Sequence, residues 1–156
     1  MTKVETPCLL YNRVHVMGTS MGGGSSLAYA IHRPDLVRSV CAVMPMTDFA
    51  GWIVENPKYA ARVAAAFGGT AEQIPDVYAR NSAVCNIDVF ADIPVMLVHG
   101  KQDTTVVYEH SLKLAGLLRD RNYVCELCTV DRMAHKDDVM QKFQIKAADF
   151  FDSAVK

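Results

Sequence analysis

The sequence has no excess of charge of either sign and no long hydrophobic run. Its 16 basic and 17 acidic residues leave a net charge of −1 at neutral pH, so electrostatics gives no reason to expect a nucleic acid or an anionic membrane surface as a partner. No apolar run approaches the roughly 20 residues of a membrane-spanning helix, and residues 1–12 lack the charged and apolar regions of a signal peptide. We therefore expect a cytoplasmic protein without nucleic-acid or membrane partners.

Cysteine is present but lacks the pattern of a disulfide framework or a zinc site. An odd number of cysteines, scattered through apparent strands, favours reduced and mostly buried thiols. Cys125 and Cys128 have the C-x-x-C spacing of some metal and redox sites, but they lie in a strand-like run and no second pair completes a zinc site. No metal or cofactor is therefore predicted. The five cysteines are Cys8, Cys41, Cys85, Cys125 and Cys128.

The 156 residues, 51% hydrophobic and 21% charged, have the length and composition of one globular domain. Short β-rich runs alternate with longer helical patterns, which is typical of an α/β fold with a mostly parallel sheet flanked by helices. The sequence therefore predicts a single domain over residues 1–156 with a sheet of about four strands. The predicted strands are residues 13–17, 39–44, 94–99 and 123–130, and the predicted helices are residues 20–32, 60–67, 70–82, 106–119 and 137–155.

The stretch between the second and third predicted strands is longer than one crossover needs. Residues 45–82 predict a small helical insertion over the sheet, a common location for a lid or a substrate-selecting surface. A plain pair of connecting helices is the alternative. Phe49, Trp52 and Tyr59 could line an apolar acyl pocket there, and packing in the core explains these side chains equally well.

Residues 18–22 read Gly-Thr-Ser-Met-Gly, between a strand-like run and a helix that begins with small residues. In this context a G-x-S-x-G motif predicts a nucleophile elbow, a sharp strand-to-helix turn with Ser20 at its apex. The serine backbone is strained in such a turn, and we expect side chains at Gly18 or Gly22 to collide with neighbouring elements. A glycine-rich turn that binds phosphate or only packs is the alternative, although no Gly-Lys-Ser/Thr follows the glycines.

A serine nucleophile needs a base and an acid, which should follow later strands at the carboxyl edge of the sheet. Asp103 follows the third predicted strand and is the predicted acid; a helix-capping role is the alternative for this residue. Asp48 is the second candidate for the acid. Asp131 is so close to His135 in sequence that a turn role is favoured. His135 alone among the histidines follows the last strand and is the predicted base. Of the other histidines, His15 is expected to pack within the first strand and His99 to hydrogen-bond its own loop, while His32 closes a predicted helix and His110 falls within one.

Three segments together resemble the C-terminal half of an α/β-hydrolase of the dienelactone hydrolase, prolyl oligopeptidase and esterase group. They are residues 18–23 (Gly-Thr-Ser-Met-Gly-Gly), residues 94–103 (Pro-Val-Met-Leu-Val-His-Gly-Lys-Gln-Asp) and His135. Asn81-Ser82 is similar to that group's Arg/Asn-Ser-Pro segment, with alanine replacing the proline. The resemblance covers residue 13 to the end and implies strands five to eight of the fold. It implies Ser20 as nucleophile, Asp103 as acid, His135 as base and the backbone N–H of Met21 as an oxyanion donor.

The resemblance also implies a truncated fold. A complete member of the group has about four strands before the elbow, and the loop after the third supplies a second oxyanion N–H. With these strands absent, the elbow strand would lie at an edge, with its N–H and C=O groups and apolar faces exposed. We expect a second copy in a homo-oligomer, or a partner chain, to cover this edge. The alternative is that the chain is a fragment of a longer product.

The function implied by the resemblance is that of a serine hydrolase. Ser20 would attack a small-molecule carboxylic ester with a small or medium acyl group, and water would release the acyl-enzyme. A peptidase or an acyltransferase on the same triad is one alternative. The other is a truncated, non-catalytic module that acts through self-association or partner binding.

Overall fold

A computed structural model describes residues 13–135 and 139–154. Four parallel strands form one sheet in the order β1-β2-β3-β4, with helices packed against it. This arrangement confirms the predicted α/β fold with about four parallel strands. The ends of the predicted strands shift by only one or two residues. The strands are β1 (Val14–Thr19), β2 (Val37–Val43), β3 (Val95–Gly100) and β4 (Cys125–Val130).

Six α-helices connect and cover the strands in the described part of the chain. The third helix has the predicted bounds. The second helix was not predicted from the sequence as a separate element. None of the helices in residues 13–135 and 139–154 has the length and hydropathy needed to span a bilayer. The helices are α1 (Met21–His32), α2 (Phe49–Glu55), α3 (Ala60–Phe67), α4 (Pro75–Asn81), α5 (Glu109–Asp120) and α6 (Val139–Ser153), with short 3-10 helices at Pro57–Tyr59, Ala83–Cys85 and Ile87–Asp92.

The predicted helix over residues 70–82 is wrong at its start. Thr70 and Gln73 have the spacing of a capping box, which favoured a helix start there, and they form this box in the structure. The Thr70 N–H donates to Gln73 Oε1 over 3.0 Å, and the Gln73 N–H donates to Thr70 Oγ1 over 3.4 Å. The box closes only one turn, because Pro75 follows and disfavours helical backbone at Ile74. Ile74 has φ −135° and ψ 56°, and α4 begins at Pro75.

The helix predicted to begin at residue 106 begins at Glu109 instead. The N–H groups of Thr105 and Val106 both donate to the carboxylate of Asp103 over 2.9 Å, which holds this segment in a turn. The predicted final helix is present as α6. The sequence also predicts Asp137 and Asp138 at the start of this helix, where acidic side chains favour the helix dipole, but these two residues lie outside the described ones.

The two faces of the sheet form separate cores because alternate strand residues point to opposite sides. In β2, Val40 and Ala42 pack with α1 and α5. Cys41 and Val43 point the other way and pack with α6, in a cluster that includes Phe150. Burial on both faces explains why β2 and β3 read as almost continuous apolar runs.

The helical segment between β2 and β3 has its own apolar cluster around Trp52 and Phe49. Trp52 stacks on Tyr59 with ring centroids 5.1 Å apart, and its indole N–H donates to the Thr105 carbonyl over 2.9 Å. Phe49 packs edge-on against Phe67. These contacts give the candidate acyl-pocket side chains a packing role that joins the helical segment to the loop before α5.

Strand β1, which leads into the predicted elbow, lies at one edge of the sheet. It pairs with β2, and no strand in residues 13–135 or 139–154 pairs with its other side. Its position is the one implied by the resemblance. Coverage of this edge by a second copy or a partner chain stays a prediction.

Candidate active site

The turn between β1 and α1 has a strained backbone at Ser20. Ser20 has φ 54° and ψ −119°, a region that side-chain-bearing residues rarely adopt and that costs about 1–3 kcal/mol. The strain is held by two hydrogen bonds: the Ser20 N–H donates to the Val43 carbonyl over 2.8 Å, and its carbonyl accepts from the Gly24 N–H over 3.1 Å. The turn is therefore fixed to the carboxyl end of β2 on one side and to the first turn of α1 on the other.

Only one of the two motif glycines is sterically required by the described residues. A methyl group at Gly18 would overlap with the carbonyl of Gly22 and crowd the hydroxyl of Ser26. At Gly22 no atom of the described neighbouring elements lies within 4 Å of the same position, so the expected collision there is wrong. The close approach of α1 to the sheet instead falls one residue later, where a methyl group at Gly23 would lie 3.0 Å from the Val43 carbonyl.

This difference predicts opposite effects for two matched substitutions. Gly18→Ala is expected to lower the free energy of unfolding by about 3 kcal/mol, because relief of the overlap must move the backbone of the elbow. Gly22→Ala is expected to raise it by up to about 1 kcal/mol, since alanine is a better helix residue than glycine. Urea unfolding of both variants measures the two effects. Equal destabilisation by both would contradict the steric assignment.

The structure brings Ser20, His135 and Asp103 together from three separate loops. Ser20 Oγ lies 2.8 Å from His135 Nε2, and His135 Nδ1 lies 2.6 Å from Asp103 Oδ2. A carboxylate only accepts hydrogen bonds, so Nδ1 carries the ring proton and donates a hydrogen bond to Asp103. Nε2 is then left as an acceptor for the Ser20 hydroxyl, which is the tautomer that general-base catalysis by His135 requires.

Asp103 makes the contacts that each of the two roles considered for it would need. Its Oδ1 accepts the N–H groups of Thr105 and Val106, which is a capping arrangement, while its Oδ2 accepts from His135. Burial, with the residue only 4% exposed, would by itself raise the pKa of this carboxyl. The hydrogen bonds from His135 and the two backbone N–H groups, together with the His99 imidazole 3.5 Å away, outweigh burial and hold the pKa of Asp103 well below its usual range.

The loop before His135 is held against the end of β3. Met133 is buried in the core on the α6 side of the sheet, and its carbonyl accepts the Gln102 N–H over 3.0 Å. A methyl group at Gly100 would overlap with that carbonyl, so glycine is required for this close approach. The acid loop and the base loop are therefore packed directly on each other.

The structure brings neither of the other acid candidates to His135. Asp48 is the N-cap of α2 and accepts the Gly51 N–H over 3.0 Å. Asp131 forms an exposed ion pair with Lys101, with 2.7 Å between Nζ and Oδ1. Both carboxylates thus have local structural partners, and Asp103 is the carboxylate that bonds to His135.

The predicted oxyanion donor, Met21, is the first residue of α1. The first N–H groups of an α-helix have no acceptor within the helix, and the helix dipole places partial positive charge at this end. The backbone N–H of Met21 is therefore available to an oxyanion formed at Ser20.

The remaining histidines bond to groups outside the triad, and the partners of His15, His32 and His110 are 24 to 55 positions away in sequence. His15 Nδ1 lies 2.7 Å from Ser39 Oγ, and His32 Nε2 lies 3.0 Å from Asn81 Oδ1. His110, in α5, lies 3.2 Å from Glu55. His99 bonds to its own loop, but the structure also shows a partner that the sequence did not indicate, the buried Ser111 in α5. Its signal in the sequence is weak, since Ser111 is an ordinary serine inside a helical pattern.

Of the described cysteines, Cys41 and Cys128 are buried, Cys125 is half-buried and Cys85 is exposed. Burial raises the pKa of Cys41 to about 12 and that of Cys125 to about 11, so both are protonated at neutral pH. Within residues 13–135 and 139–154, no three histidine, cysteine, aspartate or glutamate side chains are placed to hold a metal ion.

Comparison with known proteins agrees with this architecture. The curated protein named Uncharacterized peptidase YtmA, from Bacillus subtilis (strain 168), is 25% identical over 115 residues, which cover 74% of this chain and 44% of that protein. The chain thus spans less than half the length of this curated relative.

Two solved structures are similar in fold. Porphyromonas gingivalis dipeptidyl peptidase 4 has a TM-score of 0.72 and 18% identity, and the match covers 95% of this chain and 20% of that chain. A truncated form of a carbohydrate esterase from gut microbiota has a TM-score of 0.71 and 15% identity, with 92% and 60% coverage. At these identities the similarity shows the fold alone.

The family comparison covers almost the entire sequence. The model of the prolyl oligopeptidase family matches residues 4–156, including the elbow, the acid loop and the segment that contains His135. This chain therefore belongs to the prolyl oligopeptidase family, a family with the α/β-hydrolase fold.

Proposed function

We propose that the chain carries the catalytic triad of a serine hydrolase, with Ser20 as nucleophile, His135 as general base and Asp103 as the acid that orients the base. The observation that carries the proposal is the continuous line of hydrogen bonds from Ser20 Oγ through both ring nitrogens of His135 to Asp103 Oδ2. The strained backbone at Ser20 supports it, because such strain persists where the surrounding structure holds a functional group in place.

In the proposed first half-reaction, Ser20 Oγ attacks the carbonyl carbon of the substrate while His135 Nε2 takes the hydroxyl proton. The carbonyl oxygen becomes an oxyanion, which accepts a hydrogen bond from the Met21 N–H. The bond to the leaving group then breaks, and His135 returns the proton to the departing nitrogen or oxygen. An acyl-enzyme on Ser20 remains.

In the second half-reaction, water attacks the acyl-enzyme by the same route. His135 takes a proton from the water, and the tetrahedral intermediate collapses with return of that proton to Ser20 Oγ. Asp103 stays ionised throughout and stabilises the positive charge that His135 gains in each half-reaction.

For the substrate class, we favour peptide bonds over carboxylic esters. Membership of the prolyl oligopeptidase family and the names of a sequence relative and a structural neighbour, both peptidases, support this choice. Ester hydrolysis, the class expected from the sequence, is the second candidate, and a neighbour that is a carbohydrate esterase supports it. Both reactions use the same acyl-enzyme.

A serine-directed fluorophosphonate and one matched pair of substrates test the proposal. We expect the full chain to be labelled at Ser20, with Ser20→Ala as the unlabelled control. A peptide p-nitroanilide and the p-nitrophenyl ester of the same peptide differ only in the leaving group. Hydrolysis of both supports a peptidase, and hydrolysis of the ester alone supports an esterase. A folded chain that is neither labelled nor active would overturn the proposal in favour of the non-catalytic module.

A further inference from the structure

We propose that His99 is a positioning residue that acts through Val106 to hold the Asp103 carboxylate in line with His135. The proposal rests on the triad proposed above. His99 Nε2 lies 2.8 Å from the Val106 carbonyl, and the Val106 N–H donates to Asp103 Oδ1 over 2.9 Å. His99 and Asp103 are thus bonded to the same residue from its two ends.

The partners of His99 define which of its ring nitrogens carries a proton. A carbonyl only accepts, so Nε2 is protonated and donates to Val106. Ser111 Oγ lies 2.7 Å from Nδ1, and in the neutral ring Nδ1 accepts the serine proton. The hydrogen bonds then have one consistent direction from the Ser111 hydroxyl to Asp103 Oδ1.

The burial of this network allows it to transmit small displacements. His99 and Ser111 are 0% exposed, and Val106 is equally inaccessible. The ring of Tyr108 packs edge-on against His99 with centroids 5.9 Å apart. His99 Nε2 also lies 3.5 Å from Asp103 Oδ2, so the imidazole lies beside the carboxylate oxygen that bonds to His135. Packed interiors transmit strain because few voids absorb it.

A positioning role follows from the geometry of the carboxylate. Asp103 Oδ1 accepts hydrogen bonds from two N–H groups. One of them is the N–H of Val106, and His99 donates to the carbonyl of the same residue. Loss of the bond from His99 leaves the Val106 carbonyl buried without this donor, and the peptide must rotate or shift to find another. Movement of the cap turns the carboxylate and lengthens its bond to His135. Displacements on the order of 1 Å can lower a catalytic rate about a hundredfold.

Four variants of the full chain test the proposal. His99→Phe preserves a ring of similar size without hydrogen bonds. His99→Gln restores an N–H donor at about the depth of Nε2. Ser111→Ala removes the buried hydroxyl, and Ser39→Ala is its matched control, because Ser39 is also 0% exposed and lies 2.7 Å from a histidine Nδ1, that of His15. The control pair has no bond to Asp103.

The readouts are the rate constant and the end point of fluorophosphonate labelling, together with kcat and KM for a p-nitrophenyl ester. We expect H99F to reduce the labelling rate and kcat by up to about 100-fold, with unchanged KM and an unchanged fraction of chains labelled at the end. H99Q is expected to recover most of the rate. S111A is expected to slow labelling by a smaller factor than H99F, and S39A to leave the labelling rate unchanged.

The outcomes separate this proposal from the triad itself. Absence of labelling in the wild type overturns the triad. Labelling of H99F at the wild-type rate overturns the positioning role. A lower end point at an unchanged rate also overturns it, because misfolding removes active molecules without slowing the labelling of the remaining ones. Failure of H99Q to recover the rate contradicts the route through Val106. If H99F does not fold, the comparison of S111A with S39A decides, and equal rates overturn the proposal.

Discussion

Ser20→Ala is expected to lower kcat for ester or peptide hydrolysis by about 10⁶-fold. The hydroxyl supplies both the attacking oxygen and the proton that His135 accepts. In the described structure, this hydroxyl is the group bonded to His135 Nε2, over 2.8 Å. KM should change little, since Ser20 contributes to bond making rather than to binding of the substrate. Steady-state kinetics with the matched ester and anilide pair measures the effect.

Ser20→Gly is the companion to this variant. Both substitutions remove the hydroxyl and its hydrogen bond to His135, but only glycine adopts φ 54° without strain. The free energy of unfolding of Ser20→Gly is therefore expected to be about 1 kcal/mol higher than that of Ser20→Ala. The difference is smaller than the full strain because glycine has greater freedom in the unfolded chain. Residual turnover in both variants above one per cent of wild type would refute the assignment of Ser20 as nucleophile.

Asp103→Asn is expected to lower kcat by about 10⁴-fold while the loop keeps its shape. The reason lies in the cap. The N–H groups of Thr105 and Val106 require an acceptor at the Oδ1 position, so the amide oxygen of asparagine will face them. Its NH₂ group then faces His135 and donates to Nδ1, which places the imidazole proton on Nε2. In that tautomer His135 cannot accept the proton of Ser20.

Acid titration gives this variant a second readout. The pKa of Asp103 is lowered in the folded state, so its ionised form contributes stability that is fully present above the unfolded-state pKa of about 3.9. That contribution is lost as the pH falls further, towards the folded-state pKa. The difference in free energy of unfolding between wild type and D103N should therefore be constant from about pH 5 to 7 and shrink below about pH 4. Urea unfolding at pH 7, 5 and 3 measures it.

Two results would contradict the role of Asp103. A kcat within tenfold of the wild type would show that the carboxylate does not set the tautomer of His135. A difference in stability that is the same at pH 3 and pH 7 would show that the folded state does not favour the ionised carboxyl. Asp48→Asn is the control, because this carboxylate caps α2 and makes no bond to His135.

The strands and the elbow could be predicted because their signals are local. An apolar run of β-branched residues reads the same whether or not its neighbours are known, and the predicted strands end within two residues of the observed ones. The order of Ser20, Asp103 and His135 along the chain, each after a strand, was enough to select them. The carboxyl ends of parallel strands meet at one edge of the sheet, whatever the connecting helices are.

The errors arose where a local signal competed with a contact made elsewhere. The capping box at Thr70 formed, but Pro75 reset the start of the helix. The helix predicted from Val106 begins only at Glu109, because the Val106 carbonyl bonds to His99 and the His110 N–H donates to the Val107 carbonyl instead. Gly22 has the motif's pattern, yet the close approach of α1 to the sheet falls on its neighbour Gly23.

The sequence by itself determined the parallel α/β architecture, the identity of the elbow and the residues suited to a triad, because periodicity, glycine spacing and the order of loops are properties of the chain. Only the tertiary structure decided that Asp103 both caps its loop and bonds to His135, that Gly100 admits the Met133 carbonyl beneath His135, and that His99 and Ser111 lie behind the carboxylate. These facts depend on distances of about 3 Å between segments far apart in sequence, which are set by packing of the whole sheet.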